Sequence, residues 1–247
     1  MSAEIALTRV SFPEYVARFK RMTPDERIAY ELERKIDVAA KLKANREENR
    51  RLRLQYELGD DYADVALETH RETPGNAKAM QLAHRIVDGV FSEGCAFWGV
   101  EFGNGKTRLA ACLAHAAISR DISARFITMA NVLKLVQASF KSQEAKDKVA
   151  SLTRVRFLAI DEIDKPYLGE SGWGSHEMFD LLNERSANGL KLYVTSNRSH
   201  RELNDFFGQS TRSADPLLIG ATMDRLLGMT GGPQNWVEVT GQSERWS

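Results

Sequence analysis

From residue 24 onward, apolar side chains recur at helical spacing within a run otherwise dominated by charge. Ile28, Leu32, Ile36 and Ala39 or Ala40 fall on one stripe. Thr23-Pro24-Asp25-Glu26 opens that run as a capped helix would, with Thr23 as N-cap, Pro24 at the first helical position and Glu26 closing a capping box. Gly59 is a natural stop. The pattern predicts a helix, or a broken pair, from Pro24 toward Gly59, preceded by a shorter helix around Tyr15 to Arg21. The stripe fades after Leu42, where Lys41, Lys43, Arg46, Arg50, Arg51 and Arg53 outweigh Glu47 and Glu48. Two readings of this stretch stand open: a solvated helix face, or an arm that docks on a partner protein or a nucleic-acid backbone.

Turn-formers and acids follow, including Asp60, Asp61, Pro74 and Gly75, and predict a linker with a domain boundary near residue 75. Met80, Ala83, Ile86, Val87 and Val90 then mark a helix over Ala77 to Val90. Beyond it the period changes. Short runs that are apolar on both faces, Cys95 to Trp98, Arg125 to Met129, Val155 to Ile160 and Leu190 to Thr195, alternate with helical segments. One of these segments is capped by Asn131 and carries Val132, Leu135, Val136 and Phe140. Strands of that kind belong inside a parallel sheet covered by helices. The expected fold is therefore α/β, a parallel sheet flanked by helices over residues 76–247, preceded by a small all-helical region over residues 1–75.

Charge narrows the partners. The 34 basic and 34 acidic residues cancel, so no global field draws the chain to nucleic acid and any such contact must be local. Cys95 and Cys112 sit at apolar positions without metal-ligand spacing, as buried reduced thiols do. The N-terminus carries Glu4 and lacks a basic segment followed by an apolar one. The longest apolar stretch, Leu109 to Ile118, is too short to span a bilayer and contains His115. These features predict a cytoplasmic protein with no membrane partner.

The chemistry begins at Gly99 to Thr107, which reads G-V-E-F-G-N-G-K-T between the first strand and a helix. That order is the one a nucleoside-triphosphate phosphate loop requires. Gly103 and Gly105 let successive N–H groups turn toward one phosphate, with Asn104 between them and Arg108 following. Lys106 supplies a positive charge to the β- and γ-phosphates, Thr107 a hydroxyl ligand to Mg2+, and the helix its N-terminal dipole. Val100 stands where the usual motif has its first glycine. A β-branched residue resists positive φ, so the loop is expected to take a different path or to be one residue longer.

Phe157 to Ile160 leads into Asp161-Glu162, two carboxylates at the end of a buried strand. Downstream of a phosphate loop the first holds the Mg2+ shell and the second orients or deprotonates the attacking water. The fourth strand ends in Thr195-Ser196-Asn197. If it lies beside the acidic strand, Asn197 can hold that water; the competing reading is a turn-forming asparagine. Arg225, in the helix end Ala221 to Gly228, is by itself a surface arginine or a partner of Asp224.

Together the phosphate loop, the strand L-A-I-D-E-I, the strand end T-S-N, M-D-R-L, the late Trp236 strand and the tail Arg245-Trp246 resemble the AAA+ ATPases. The resemblance covers about residues 77 to 247 and points to the bacterial and phage replicative-helicase loaders of the DnaC and DnaI type. It implies an AAA+ P-loop core that hydrolyses ATP with Mg2+, with Lys106 and Thr107 as Walker A contacts and Asp161 and Glu162 as the Walker B pair. Asn197 would be the sensor, and Arg225 a finger acting in trans across a subunit interface, an effect worth about 10^3 to 10^5 in rate. Arg212 and Arg185 are further trans candidates. The resemblance also implies a hexameric replicative helicase as partner, self-association into a helical oligomer, and single-stranded DNA along its inner face. Trp173, in the stretch Gly169 to Gly174, and Lys141, Lys146 and Lys148 are conceivable DNA contacts. No cysteine-histidine cluster precedes residue 75, so the zinc module of some loaders is missing. The rival readings are an IstB-type ATPase partner of a transposase, which shares the core, and a nucleotide-binding adaptor that does not hydrolyse.

Overall fold

A computed structural model describes residues 19–165, 173–210 and 215–241. The chain divides into two compact units, Met1–Asn49 and Arg50–Ser247. Helix α1 (Pro24–Leu58) is unbroken. Its N-terminus is closed by the expected capping box: the Thr23 N–H donates to Glu26 Oε2 at 2.8 Å and the Glu26 N–H to Thr23 Oγ1 at 3.3 Å. Its end is Gly59, at φ +71°, whose N–H reaches the Gln55 carbonyl at 2.9 Å. Leu54 and Leu58 are its buried residues, whereas Ile28, Leu32, Ile36 and Leu42 remain 67%, 58%, 61% and 55% exposed. Most of the helix expected around Tyr15 to Arg21 lies outside the described residues.

The division between the units falls inside α1 and not near residue 75. The physical reason is burial: Leu54, Leu58, Ala63, Val65 and Leu67 share one core cluster with Ala79, Met80 and Ala83. The stretch after Gly59 is therefore packed chain with a 3₁₀ turn at Leu67–Thr69, although its turn-forming composition suggests a linker.

The second unit is built on five parallel strands, β1 (Cys95–Trp98), β2 (Ala124–Thr128), β3 (Phe157–Asp161), β4 (Tyr193–Ser196) and β5 (Trp236–Glu238), in the order β2-β3-β4-β1-β5. Around them run α2 (Ala77–Asp88), α3 (Lys106–Ser119), α4 (Met129–Ser139), α5 (Gln143–Arg154), α6 (Trp173–Ala187), α7 (His200–Ser210) and α8 (Pro216–Met229). Alternation along the strands makes the layers. Cys95, Phe97, Phe157, Ala159 and Tyr193 face a core shared with α2 and α3. Ala96, Leu158, Ile160 and Val194 face one shared with α4 through α8.

Local chemistry adjusts the expected boundaries. Thr128, not Asn131, caps α4: its Oγ1 accepts the Asn131 N–H at 3.2 Å, because β2 passes directly into the helix. β2 is an edge strand and only its first residue is buried, so it is less apolar in its surroundings than its sequence suggests. Cys95 and Cys112 are buried and unpaired; burial pushes both thiols up, Cys112 to about 12. No helix among the described residues is long and apolar enough to cross a membrane.

Candidate functional site

In the register of the sheet Trp98 at the end of β1 sits opposite Ser196 at the end of β4, and β4 lies against β3. Three adjacent strands thus deliver the glycine loop, the acidic pair and the Thr195–Arg198 turn to one edge, the place where parallel α/β sheets build their sites.

In the loop, Gly103 and Gly105 take φ +78° and +93°, while Val100 stays outside the left-handed region. The β-branched side chain therefore imposes no backbone strain, and it points outward at 64% exposure. The glycine that close approach demands is Gly99, where a Cβ would lie 2.3 Å from the Val239 carbonyl oxygen. The same carbonyl accepts a short hydrogen bond from Asn104 Nδ2, so the loop is stapled to the chain that leaves β5.

Lys106 is folded into this cup. Its Nζ donates to the carbonyls of Gly99 and Glu101, each at 2.8 Å, and to Asn104 Oδ1 at 2.9 Å. Burial pulls its ammonium down from the usual lysine range, and the nearby charges of Asp164 and Asp161 oppose that shift. Gly103, Asn104, Gly105, Lys106, Thr107 and Arg108 line a cavity of about 170 Å3 at the N-terminus of α3, together with Tyr62. Sequence reasoning missed Tyr62, because it belongs to the supposed linker. Two larger clefts, of about 600 and 560 Å3, share Glu57 and Arg125 beside β2, away from these groups.

Asp161 is 5% exposed at the end of β3. Its Oδ1 accepts from Thr107 Oγ1 at 3.0 Å and, in a shorter bond, from Thr195 Oγ1. Burial pushes its carboxyl up, and the two hydroxyl donors pull it back. Thr107 and Asp161 are hard oxygen donors beside the glycine loop, a pair whose chemistry would fit Mg2+. Glu162 takes φ +55°, a left-handed conformation uncommon outside glycine and concentrated at functional sites. Its N–H is fixed by Thr195 Oγ1 at 2.9 Å and its carboxylate pairs with Lys165.

Asn197 follows β4, and both its backbone and its side-chain amide donate to Asp164, at 3.1 and 3.3 Å. Asp164 is 2% exposed and also receives Arg198 at 2.9 Å. Neither residue stood out in the sequence; the available signal was that Asp161-Glu162-Ile163-Asp164 repeats an acid across a buried isoleucine.

The other candidates lie elsewhere. Arg225 on α8 donates through Nε to Asn183 of α6 at 2.9 Å and through Nη1 to the Ala221 carbonyl at 3.2 Å, with its guanidinium 4.6 Å from the Phe179 ring centre. Arg185 is fully buried and donates to the carbonyls of Leu152, Val155 and Lys191 at 2.6, 2.9 and 2.6 Å. It ties α6 to the end of α5, which removes it as a contact to a neighbouring subunit. Lys146 and Lys148 are exposed on α5, and Lys148 is paired with Glu144; Lys141 is exposed just before that helix. Arg212, the side chain of Trp173 and the tail Arg245-Trp246 lie outside the described residues.

The family model described as IstB-like ATP binding protein matches residues 96–246. The chain belongs to this family. No curated protein matches the sequence. Among solved structures, the crystal structure of DnaI is similar at 21% identity, over 75% of this chain and 93% of that one, with a TM-score of 0.60. The DnaC helicase loader is similar at 16% identity, over 74% and 99%, with a TM-score of 0.56. AMPPCP-bound DnaA from Aquifex aeolicus matches at 17% identity and a TM-score of 0.55, over 74% of this chain and 52% of that one. At these identities the likeness is one of fold. The IstB-like protein is thus an ATP-binding protein with an AAA+ P-loop fold, the parallel sheet and flanking helices expected for it.

Proposed function

We propose that this IstB-like protein is an ATP-dependent loader that binds a hexameric replicative helicase through α1 and helps place it on single-stranded DNA, with hydrolysis triggering release. The observation that carries the reading is the stripe of Ile28, Leu32 and Ile36, 67%, 58% and 61% exposed on a helix joined to a nucleotide-binding unit. A helix with such an apolar face needs something to lean on. The fold of the DnaC helicase loader supports the same reading, and that of a DnaA bound to AMPPCP and single-stranded DNA supports DNA as a further partner.

In this reading the backbone N–H groups of Gly103 to Thr107 and the Lys106 ammonium bind the phosphates. Thr107 and Asp161 would hold Mg2+, which when bound neutralises charge on the β- and γ-phosphate oxygens. Glu162, fixed by its backbone bond to Thr195, orients or deprotonates the attacking water, and Asn197 holds that water. Arg225 acts on a neighbouring subunit's nucleotide, so the protein works as an oligomer and an isolated subunit turns over slowly.

The test is capture from the protein's own cell lysate with ATP and Mg2+, comparing the wild type with an I28S/L32S/I36S variant. Recovery of the replicative helicase by the wild type alone supports the loader. Recovery of a transposase supports a second reading, an IstB-type ATPase partner of a transposase, which the family match itself favours. That reading also expects duplex-DNA binding and ATPase stimulated by the transposase. Recovery of neither removes the helicase while leaving the ATPase untouched.

A further inference from the structure

Asp164 has no part in the nucleotide chemistry above, yet it is one of the most enclosed charges in the second unit, at 2% exposure. Its surroundings are built around it. Oδ1 accepts the Asn197 N–H at 3.1 Å; Oδ2 accepts Asn197 Nδ2 at 3.3 Å and Arg198 Nη1 at 2.9 Å. The Arg198 guanidinium in turn lies 4.2 Å from the Phe206 ring centre, so α7 holds the counter-charge in place. The backbone on either side is bonded too: the Ile163 N–H donates to the Thr195 carbonyl at 3.0 Å and the Lys165 N–H to the Glu162 carbonyl at 3.1 Å.

A carboxylate offers only acceptors, which settles the orientation of the amide beside it. Turning Asn197 over would set its carbonyl oxygen against Asp164, so Nδ2 must face the acid and Oδ1 must face away. Among the described residues no donor engages Asn197 Oδ1. We infer that Asp164 is a positioning residue: by holding Nδ2 it presents the Asn197 oxygen as an acceptor for the attacking water, and prevents that side chain from serving as a donor to phosphate. Arg198, bonded to Oδ2, holds the Asp164 side chain in register. The inference rests on the ATPase reading for its function, while the orientation itself rests only on the three bonds to Asp164.

Four measurements test it. In steady-state ATP hydrolysis, Asp164→Asn and Asp164→Ala should lower kcat about ten- to a hundredfold, as misplaced catalytic groups do. Nucleotide affinity, read by titration with a fluorescent ATP analogue, should stay within about twofold of the wild type. In a double-mutant cycle, Asp164→Ala added to Asn197→Ala should cost nothing further. Additive losses, a fall in affinity matching the fall in kcat, or unchanged kcat would each overturn the positioning role. Asp164→Asn, nearly isosteric, is read if the alanine variant does not fold. NMR of asparagine-labelled full-length protein follows the Asn197 side-chain amide protons without turnover. They should exchange slowly in the wild type and about tenfold faster in Asp164→Asn, and equal exchange would overturn the inference. A wild type that binds ATP without hydrolysing it would instead defeat the proposed function, and the exchange measurement would still decide the orientation.

Discussion

The Thr107 hydroxyl donates to Asp161 Oδ1 at 3.0 Å, although one residue opens α3 and the other ends β3. A hydroxyl and a carboxylate brought together from two elements in this way are hard oxygen donors of the kind that suit a divalent cation, and the proposed role of the pair is to hold Mg2+. Thr107→Ala and Asp161→Asn should each abolish the Mg2+ dependence of ATP affinity while sparing affinity in EDTA. The loss should be at least the about 10- to 100-fold that outer-shell changes cost at metal sites. Titration with and without Mg2+ reads it directly, and a Thr107→Ala protein that keeps its Mg2+ response would detach the threonine from the metal.

Asp161 also sets a pH dependence. Burial raises its carboxyl above the ordinary value of 3.8, so between that value and the raised one the folded state holds more proton than the unfolded state. Stability therefore falls as pH rises through this window, and at neutral pH the ionised carboxylate is a net cost to the fold. Asp161→Asn keeps the acceptor for Thr107 and Thr195 without the charge. It should melt higher than the wild type at pH 7, by about 2–4 °C for each kcal/mol relieved. The gap should close as pH drops below the ordinary carboxylate range. A gap that is constant with pH would show that the relief is not electrostatic.

The loop offers a cleaner contrast between neighbouring positions. Gly99→Ala would drive a Cβ to 2.3 Å from the Val239 carbonyl, backbone that cannot move aside without shifting β5. It should unfold at lower denaturant and weaken ATP binding. Val100→Gly restores the usual motif, yet Val100 has no positive φ to relieve and is 64% exposed, so affinity should change by less than about twofold. Tighter binding by Val100→Gly would mean that the valine does distort the loop.

This contrast shows what the sequence could reveal. The strand-loop-helix order, the acids at the end of β3 and the polar end of β4 were legible because each is a local pattern with a local cause. The capping box at Thr23 and Glu26 was legible for the same reason. What escaped depends on partners distant in the chain. Gly99 matters through Val239, Asp164 through Asn197 and Arg198, and Arg185 through carbonyls on α5 and the approach to β4. Helix α5 was missed because its polar sequence buries little beyond Ala145, Leu152 and Thr153. The stretch after Gly59 misled because turn-forming composition says nothing of where Val65 and Leu67 will pack.

Arg185 turns that lesson into a stability prediction. Its guanidinium satisfies three carbonyls in a site without a carboxylate among its hydrogen-bond partners, and burial pulls its pKa down to about 10. Arg185→Leu should cost about 1–3 kcal/mol for each carbonyl left without a donor. The loss should show in the denaturation midpoint, with ATPase per folded molecule preserved. A stable Arg185→Leu protein with lost turnover would return this residue to an intersubunit role.

Arg225 behaves differently because its own contacts are modest: one amide oxygen on Asn183, one helix carbonyl and the face of Phe179. Arg225→Ala should fold and bind ATP yet lose about 10^3 or more in turnover, if the arginine completes a neighbour's site. The decisive form of the experiment is complementation. Glu162→Gln lacks the carboxylate but retains the arginine, and Arg225→Ala has the reverse defect. Mixed at concentrations that support assembly, the two inactive proteins should recover part of the wild-type rate, because an interface can then pair an intact carboxylate with an intact arginine. The recovered rate should fall on dilution more steeply than protein concentration itself. A mixture that stays as inactive as its components would place Arg225 in its own subunit, where the bond to Asn183 already holds it, and would leave the helices α6 and α8 as its only business.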